Sequence, residues 1–537
     1  MGTKSTTKGF AILSVSTILV KLLSLVYVPF LILIIGTKGY ATYYAAYTIF
    51  VFIFVVVTAG IPVTISKQVS ELVALNNYKD AIKTFKIARF ILLIFGTILT
   101  VAMMLFARPL ASFINFKTAY LCVLVLSPTV LFTSVSTCYM GYFQGLDNMK
   151  PRAVAQLLEQ IVNIVFSLLF AALWYKYGLY VACAGGCMGT PISALVSLIY
   201  LMVYYHKHKT IDKPLNPEIL EVKRISNRGL TRRVLSYGIP ITICWGMQYA
   251  GNLVDTINNK GRLLASGLSV DKSDILFGNL GKYTTLIGVP LSIITALSAA
   301  VLPMIASYAA LNNKKEIKRG IDYSFNTAFL VAVPCAMGLA ILSEPIYILL
   351  GPSFEVGYEL MTYGGWILIL ASLIQIQTII LQSLGRLYKT ALNMFLGIVV
   401  KVGINYILIT NPKINITGAL VGSAFGYLIP VVLNKKLIED TLEIKLSLFH
   451  YFKNPFISSL IMGVAAYITH ISINYTLSIF MGRYLSNAVA TILAIVVSMV
   501  VYLYMMIRVG GFRKKDLEVF PSRVVSLIPN SFIKRMS

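Results

Sequence analysis

The chain has 537 residues, 57% of them hydrophobic and only 12% charged, with a mean hydropathy of +0.79. Soluble domains carry about 25% charged residues, so this composition excludes an ordinary water-soluble fold. The net charge of +26 would suggest a nucleic-acid partner in a soluble protein, but its placement along the chain explains it otherwise.

A hydrocarbon core of about 30 Å takes about 20 helical residues to cross. Long apolar runs predict 14 transmembrane helices, near residues 10–35, 41–66, 87–107, 118–143, 153–174, 178–205, 234–257, 275–308, 323–343, 361–383, 390–409, 417–434, 455–473 and 484–507. With the N-terminus inside, cytoplasmic segments, counting Arg89 at the cytoplasmic edge of the third span, hold 34 of the 46 Lys and Arg, external ones 9 and span interiors 3. The positive-inside rule explains that split and places both termini in the cytoplasm. No nucleic-acid partner is needed to account for the charge.

The first span carries Lys21 in its middle and Pro29 beyond it. After the second span, Lys67 to Lys86 predicts one amphipathic helix lying in the headgroup layer, with Val69, Leu72, Val73, Ala81, Ile82 and Phe85 at helical spacing. Pro151 suits the first turn of the fifth span. Glu159, two turns in, can pair with Arg152 or meet a ligand. His206 to Arg233 is the longest hydrophilic stretch and reads as a basic linker attracted to anionic lipid. Beyond it, polar groups recur inside spans: Gln248, Asn252 and Asp255 in the seventh, Lys282 in the eighth, Lys401 in the eleventh. The six cysteines fall inside apolar runs and the four histidines are scattered, so neither a disulfide framework nor a metal site is expected.

The chain also repeats itself. Ala74-Leu75-Asn76-Asn77 returns as Ala310-Leu311-Asn312-Asn313, 236 residues later. Gln144-Gly145-Leu146 has its echo in Gln382-Ser383-Leu384, 238 residues on. Such spacing reads as a duplication of a six-span unit. The expected organisation is a lobe over 1–205, the linker 206–233, a second lobe over 234–434, and a pair of extra spans with a basic tail over 435–537.

The residues GIPVTISKQVSE after the second span, GYFQGLDNMKPRAVAQLLEQ around 141–160, and Tyr237-Gly238-Ile239-Pro240-Ile241 resemble the polysaccharide-export branch of the flippase superfamily that also contains the MATE exporters. Within that branch the chain looks most like the MurJ-type lipid II flippases and the stage V sporulation protein B group. The resemblance implies two six-helix lobes around a central cavity, with the last two spans lining a groove for a polyprenyl tail. It implies a lipid carrier diphosphate bearing a sugar as substrate, turned from the inner to the outer leaflet of a bacterial cell membrane. Another lipid-linked oligosaccharide (a capsule, teichoic-acid or exopolysaccharide precursor) is the alternative in the same class. A MATE-type exporter of organic cations would call for intramembrane carboxylates.

Lys21, Lys282 and Lys401 are the basic residues deep in the predicted spans, and no acidic residue is expected at comparable depth. A buried lysine without a carboxylate loses its proton or recruits an anion, so the three are the expected headgroup ligands. Lys67, Gln248, Asn252, Asp255 and Glu159 are secondary candidates. No catalytic carboxylate pair or nucleotide-binding glycine loop stands out, and no enzyme activity or cofactor is expected. The expected partners are the lipid-linked substrate, membrane lipids and a possible coupling ion, with the protein acting as a monomer. Moving a charge of about −2 outward, with the inside about 100 mV negative, releases roughly 4–5 kcal/mol, enough for membrane potential to drive the cycle.

Overall fold

The computed structural model describes residues 2–208, 225–310 and 313–511, so most of the predicted linker and the basic tail lie outside the described residues. Within them every regular element is helical. A bilayer demands this, because backbone N–H and C=O groups in hydrocarbon must be satisfied within the segment.

Helix α1 covers Gly2–Thr58 and is broken at Gly36, whose φ of 67° only glycine adopts freely. The first two predicted spans therefore meet at one residue rather than through a loop. Then come α2 (Ile61–Ala74), α3 (Tyr78–Leu105), α4 (Ala107–Phe113), α5 (Tyr120–Gly145), α6 (Lys150–Trp174), α7 (Leu179–Lys207), α8 (Asn227–Ala265) and α9 (Val270–Ala310). The chain continues through α10 (Lys314–Ile341), α11 (Ser343–Leu349), α12 (Glu359–Gly364), α13 (Ile367–Ser383), α14 (Leu387–Leu408), α15 (Gly418–Leu442), α16 (Leu448–Ser478) and α17 (Arg483–Arg508). Among the described residues, ten helical stretches are long and apolar enough to cross a membrane. This is a multi-pass membrane protein.

Two local expectations change. The amphipathic helix expected over Lys67–Lys86 is two helices, because Asn76 turns left-handed (φ 56°) and Asn77 caps α3 by accepting from the Asp80 N–H at 3.3 Å. Residues 258–274, which the predicted spans 234–257 and 275–308 leave as a connection, are mostly helix, since α8 runs to Ala265 and α9 starts at Val270.

The two Ala-Leu-Asn-Asn segments end their helices alike. The Asn77 N–H donates to Leu72 O at 2.8 Å, and the Asn313 N–H donates to Tyr308 O at 3.0 Å, closing each preceding helix in the same way. Asn313 also caps its helix, accepting from the Glu316 N–H at 3.3 Å. The helices that follow, α3 and α10, both have 28 residues, and the short α4 and α11 both have 7.

Contacts group the chain into two compact units, Met1–Gly281 with Gly385–Pro430, and Lys282–Leu384 with Val431–Ser537. In the first, α8 packs on α1, α2 and α3, and α14 packs on α8. In the second, Met337 of α10, Met462 of α16, and Tyr502 and Met506 of α17 form a buried cluster. The Tyr502 hydroxyl donates to Leu330 O at 2.9 Å, and Asn487 Nδ2 to Pro345 O at 3.0 Å, so the last two helices dock on α10 and α11.

Candidate functional site

The three deep lysines are held in three different ways. Lys401 on α14 forms a buried ion pair with Asp255 on α8, and its ammonium lies 5.2 Å from the centre of the Tyr427 ring. An isolated charge at such a position would be costly, and the carboxylate offsets that. Two more polar rungs continue the α8–α14 seam. Asn258 Nδ2 donates to Val402 O at 3.1 Å, and Asn405 Nδ2 donates to Asn259 Oδ1 at 3.0 Å. Residues 255, 258 and 259 share a helix face because they are three and four apart.

This corrects the expectation that no acidic residue lies as deep as the lysines. Asp255 does, because α8 extends ten residues beyond it to Ala265. The same extension reveals a lysine that the sequence reading placed in a loop. Lys260 is buried on α8, paired with Asp274 on α9, bonded to Val270 O at 3.4 Å, and 4.8 Å from the Phe116 ring centre. The signal was there: Asn252, Asp255, Asn259 and Leu263 keep helical spacing past the predicted end of the span.

Lys282 on α9 has no exposed surface. Its ammonium donates to Ser353 O at 3.1 Å and Val356 O at 3.3 Å and sits 5.4 Å from the Phe354 ring centre. It thus fastens the segment between α11 and α12, which is bracketed by left-handed Gly351 and Gly357 (φ 109° and 99°). Glu355 of that segment pairs with Arg483 at the start of α17, and the Tyr484 hydroxyl donates to Glu355 at 3.5 Å. Among the described residues no carboxylate pairs with Lys282.

Lys21 differs from both. It lies 15 residues before Gly36, about 22 Å along the helix axis. Its side chain is exposed, and among the described residues it has no ion-pair partner.

The secondary candidates divide as well. Lys67 is exposed, 3.8 Å from Glu71 and 4.1 Å from the Tyr237 ring centre. Gln248 is half-buried, while Asn252, one turn further along α8, is exposed. Asp255 belongs to the Lys401 pair. Glu159 is half-buried on α6, facing Ser197 of α7. Arg152, its expected partner, instead donates to Gln144 at the end of α5.

Residues 6–309, more than half of the chain, match the family described as polysaccharide biosynthesis protein. The chain belongs to that family. This polysaccharide biosynthesis family member is 24% identical over 531 residues to the lipid II flippase MurJ of Bacillus subtilis (strain 168), spanning 94% of this chain and 96% of that relative. It is also 24% identical over 449 residues to stage V sporulation protein B of the same organism, spanning 83% and 85%. Among solved structures, the inward-facing conformation of a multidrug resistance MATE family transporter of the MOP superfamily matches with a TM-score of 0.62 at 14% identity. That match covers 81% of this chain and 100% of the transporter. The family member therefore has a MATE-like transporter fold.

Proposed function

We propose that this protein is a flippase that carries an undecaprenyl-diphosphate-linked glycan, peptidoglycan lipid II foremost, from the inner to the outer leaflet by alternating access. The observation that carries the reading is Lys21, a cation inside the first span with no ion-pair partner among the described residues. It is placed in a chain similar to a lipid II flippase over nearly its whole length. A diphosphate is the anion such a lysine would recruit within a membrane. Lys282 and Lys401 are the further headgroup candidates, each reached by exchanging its present partner for a phosphate oxygen. The drive is membrane potential or an ion gradient.

We count fourteen crossings: the ten apolar stretches, with α1 taken as two about Gly36, together with α8, α9 and α13. The halves 1–205 and 234–434 are the proposed moving lobes, and α16 with α17 receives the lipid tail. The Lys and Arg distribution puts both termini and the 206–233 linker in the cytoplasm of a bacterial cell. In a cysteine-free background, a cysteine at Ser269 should react with an impermeant thiol reagent added outside intact cells, and one at Asn216 should not. Labelling at both positions would reverse or remove this orientation.

The function itself is tested by depletion. Lipid II is expected to accumulate in the inner leaflet when the protein is withdrawn, and re-expression should clear it. The family description favours a second reading within the same class, since polysaccharide precursors also ride on carrier diphosphates. Accumulation of a capsule or teichoic-acid intermediate in place of lipid II would select that reading. If no lipid-linked glycan accumulates, the flippase assignment fails.

A further inference from the structure

The chain contains Gly-Ile-Pro twice, as Gly60-Ile61-Pro62 and Gly238-Ile239-Pro240. The fold sets the two copies against each other within the first unit. Gly60 immediately precedes α2, and Gly238 is buried in the early part of α8. A β-carbon on Gly60 would lie 2.0 Å from the Gly238 carbonyl oxygen and 2.3 Å from Thr242 Oγ1. Those distances are far inside van der Waals contact, so the two backbones touch with no side chain between them. The contact is one-sided: the nearest atoms to a β-carbon on Gly238 would be those of Ile61, at 3.4 and 3.5 Å, which is ordinary packing.

The opposite side of α2 is fixed more extensively. β-carbons on Gly141 and Gly145 of α5 would lie 2.6 Å from Pro62 O and 2.7 Å from Ser66 O. These glycines are one turn apart, the spacing that lets two helices approach closely along their length. Helix α2 is thus seated along α5 for a full turn and also packs on α8, most tightly where Gly60 meets Gly238. Beside that point the exposed Lys67 ammonium rests on the Tyr237 ring at 4.1 Å. Pro240 has no N–H, which leaves the Ser236 carbonyl without its usual helical donor and softens α8 next to the contact.

We propose that the Gly60–Gly238 contact is the cytoplasmic gate of the transport path, and that α2 and α8 part here to admit the headgroup. Helix α2 belongs to the first half of the sequence repeat and α8 to the second, and in transporters built from repeats the halves move against each other. The contact separates without breaking an ion pair, and of its two glycines only Gly60 is sterically obliged to be glycine. The inference rests on the flippase reading above.

The test uses the full chain in membranes, without its native cysteines and with Thr242→Cys as reporter. Gly60→Ala should wedge the gate, raising cytoplasmic-side labelling by an impermeant thiol reagent about tenfold and lowering glycan-lipid translocation by a similar factor. Gly238→Ala should leave both within about twofold, given the ordinary contacts it would make. Equal effects of the two substitutions, or unchanged labelling in Gly60→Ala, would overturn the gate. A second arm joins the helices directly. Oxidising Ile61→Cys with Gly238→Cys should halt transport until a reductant is added, and transport through the fully cross-linked protein would overturn the proposal. The labelling needs no substrate. If its asymmetry holds while the parent chain moves no lipid-linked glycan, the gate stands and the flippase reading falls.

Discussion

Replacing Lys21 with alanine is expected to abolish rescue of a flippase-depleted strain, with protein abundance in the membrane unchanged. The structure supplies both parts of that expectation. Lys21 is exposed and without an ion-pair partner among the described residues, so its removal strands no opposite charge. The stability cost should stay within about 0.5 kcal/mol, as for other positions without buried partners. A charge-assisted contact to a phosphate oxygen is worth about 1.5–3 kcal/mol, so translocation should fall by about ten- to a hundredfold or more. Lys21→Arg should retain part of the activity because charge matters more than fork geometry for a point contact. Lys21→Glu should be inactive through repulsion of the headgroup. Lys282→Ala should be equally damaging to transport but should also lower thermal stability in detergent, because Ser353 O and Val356 O both lose their donor. The measurement is growth complementation with membrane abundance followed by blotting. Normal growth of a chain carrying Lys21→Ala would remove the cationic site from the mechanism.

The largest stability effect is expected at the α8–α14 seam. Asp255→Ala leaves the Lys401 ammonium buried without its carboxylate, and breaking a buried pair from one side costs about 3–5 kcal/mol. The thermal unfolding midpoint in detergent should drop by several degrees. The double change Asp255→Leu with Lys401→Met replaces the pair by apolar groups and should recover most of that loss. Transport then separates two roles. A stable but inactive double variant would make the pair part of the transport cycle. A stable and active one would make it structural. A single Asp255→Ala variant as stable as the parent would contradict the buried pair itself.

The contrast between Lys21 and Lys401 shows what the sequence carried and what it did not. Both are lysines inside long apolar runs, and hydropathy treats them alike. The carboxylate of Lys401 is 146 residues away in the chain, and nothing local to either residue announces it. Lys282 is similar in kind: its two acceptors are the backbone carbonyls of residues 353 and 356, invisible to any reading of side-chain types. Lys260 was missed for another reason. A hydropathy window ends a span where polar residues begin, whereas the α8 backbone continues as helix through Asn258, Asn259 and Lys260 because α14 and α9 satisfy their side chains.

The sequence by itself determined that this is a multi-pass helical membrane protein. A bilayer requires a local remedy for every crossing, namely an apolar run of sufficient length with its hydrogen bonds closed inside the segment. The helix caps at Asn77 and Asn313 are equally local, each reaching a backbone amide three residues on, although the apolar spacing over residues 67–86 reads as one helix through Asn77. Only the tertiary structure decided which cations are committed to partners, and which glycines bring α2 against α5 and α8. Those outcomes depend on side chains and carbonyls from distant segments arriving within about 3 Å of one another. Such distances are set by helix packing, and the order of residues along one helix does not contain them.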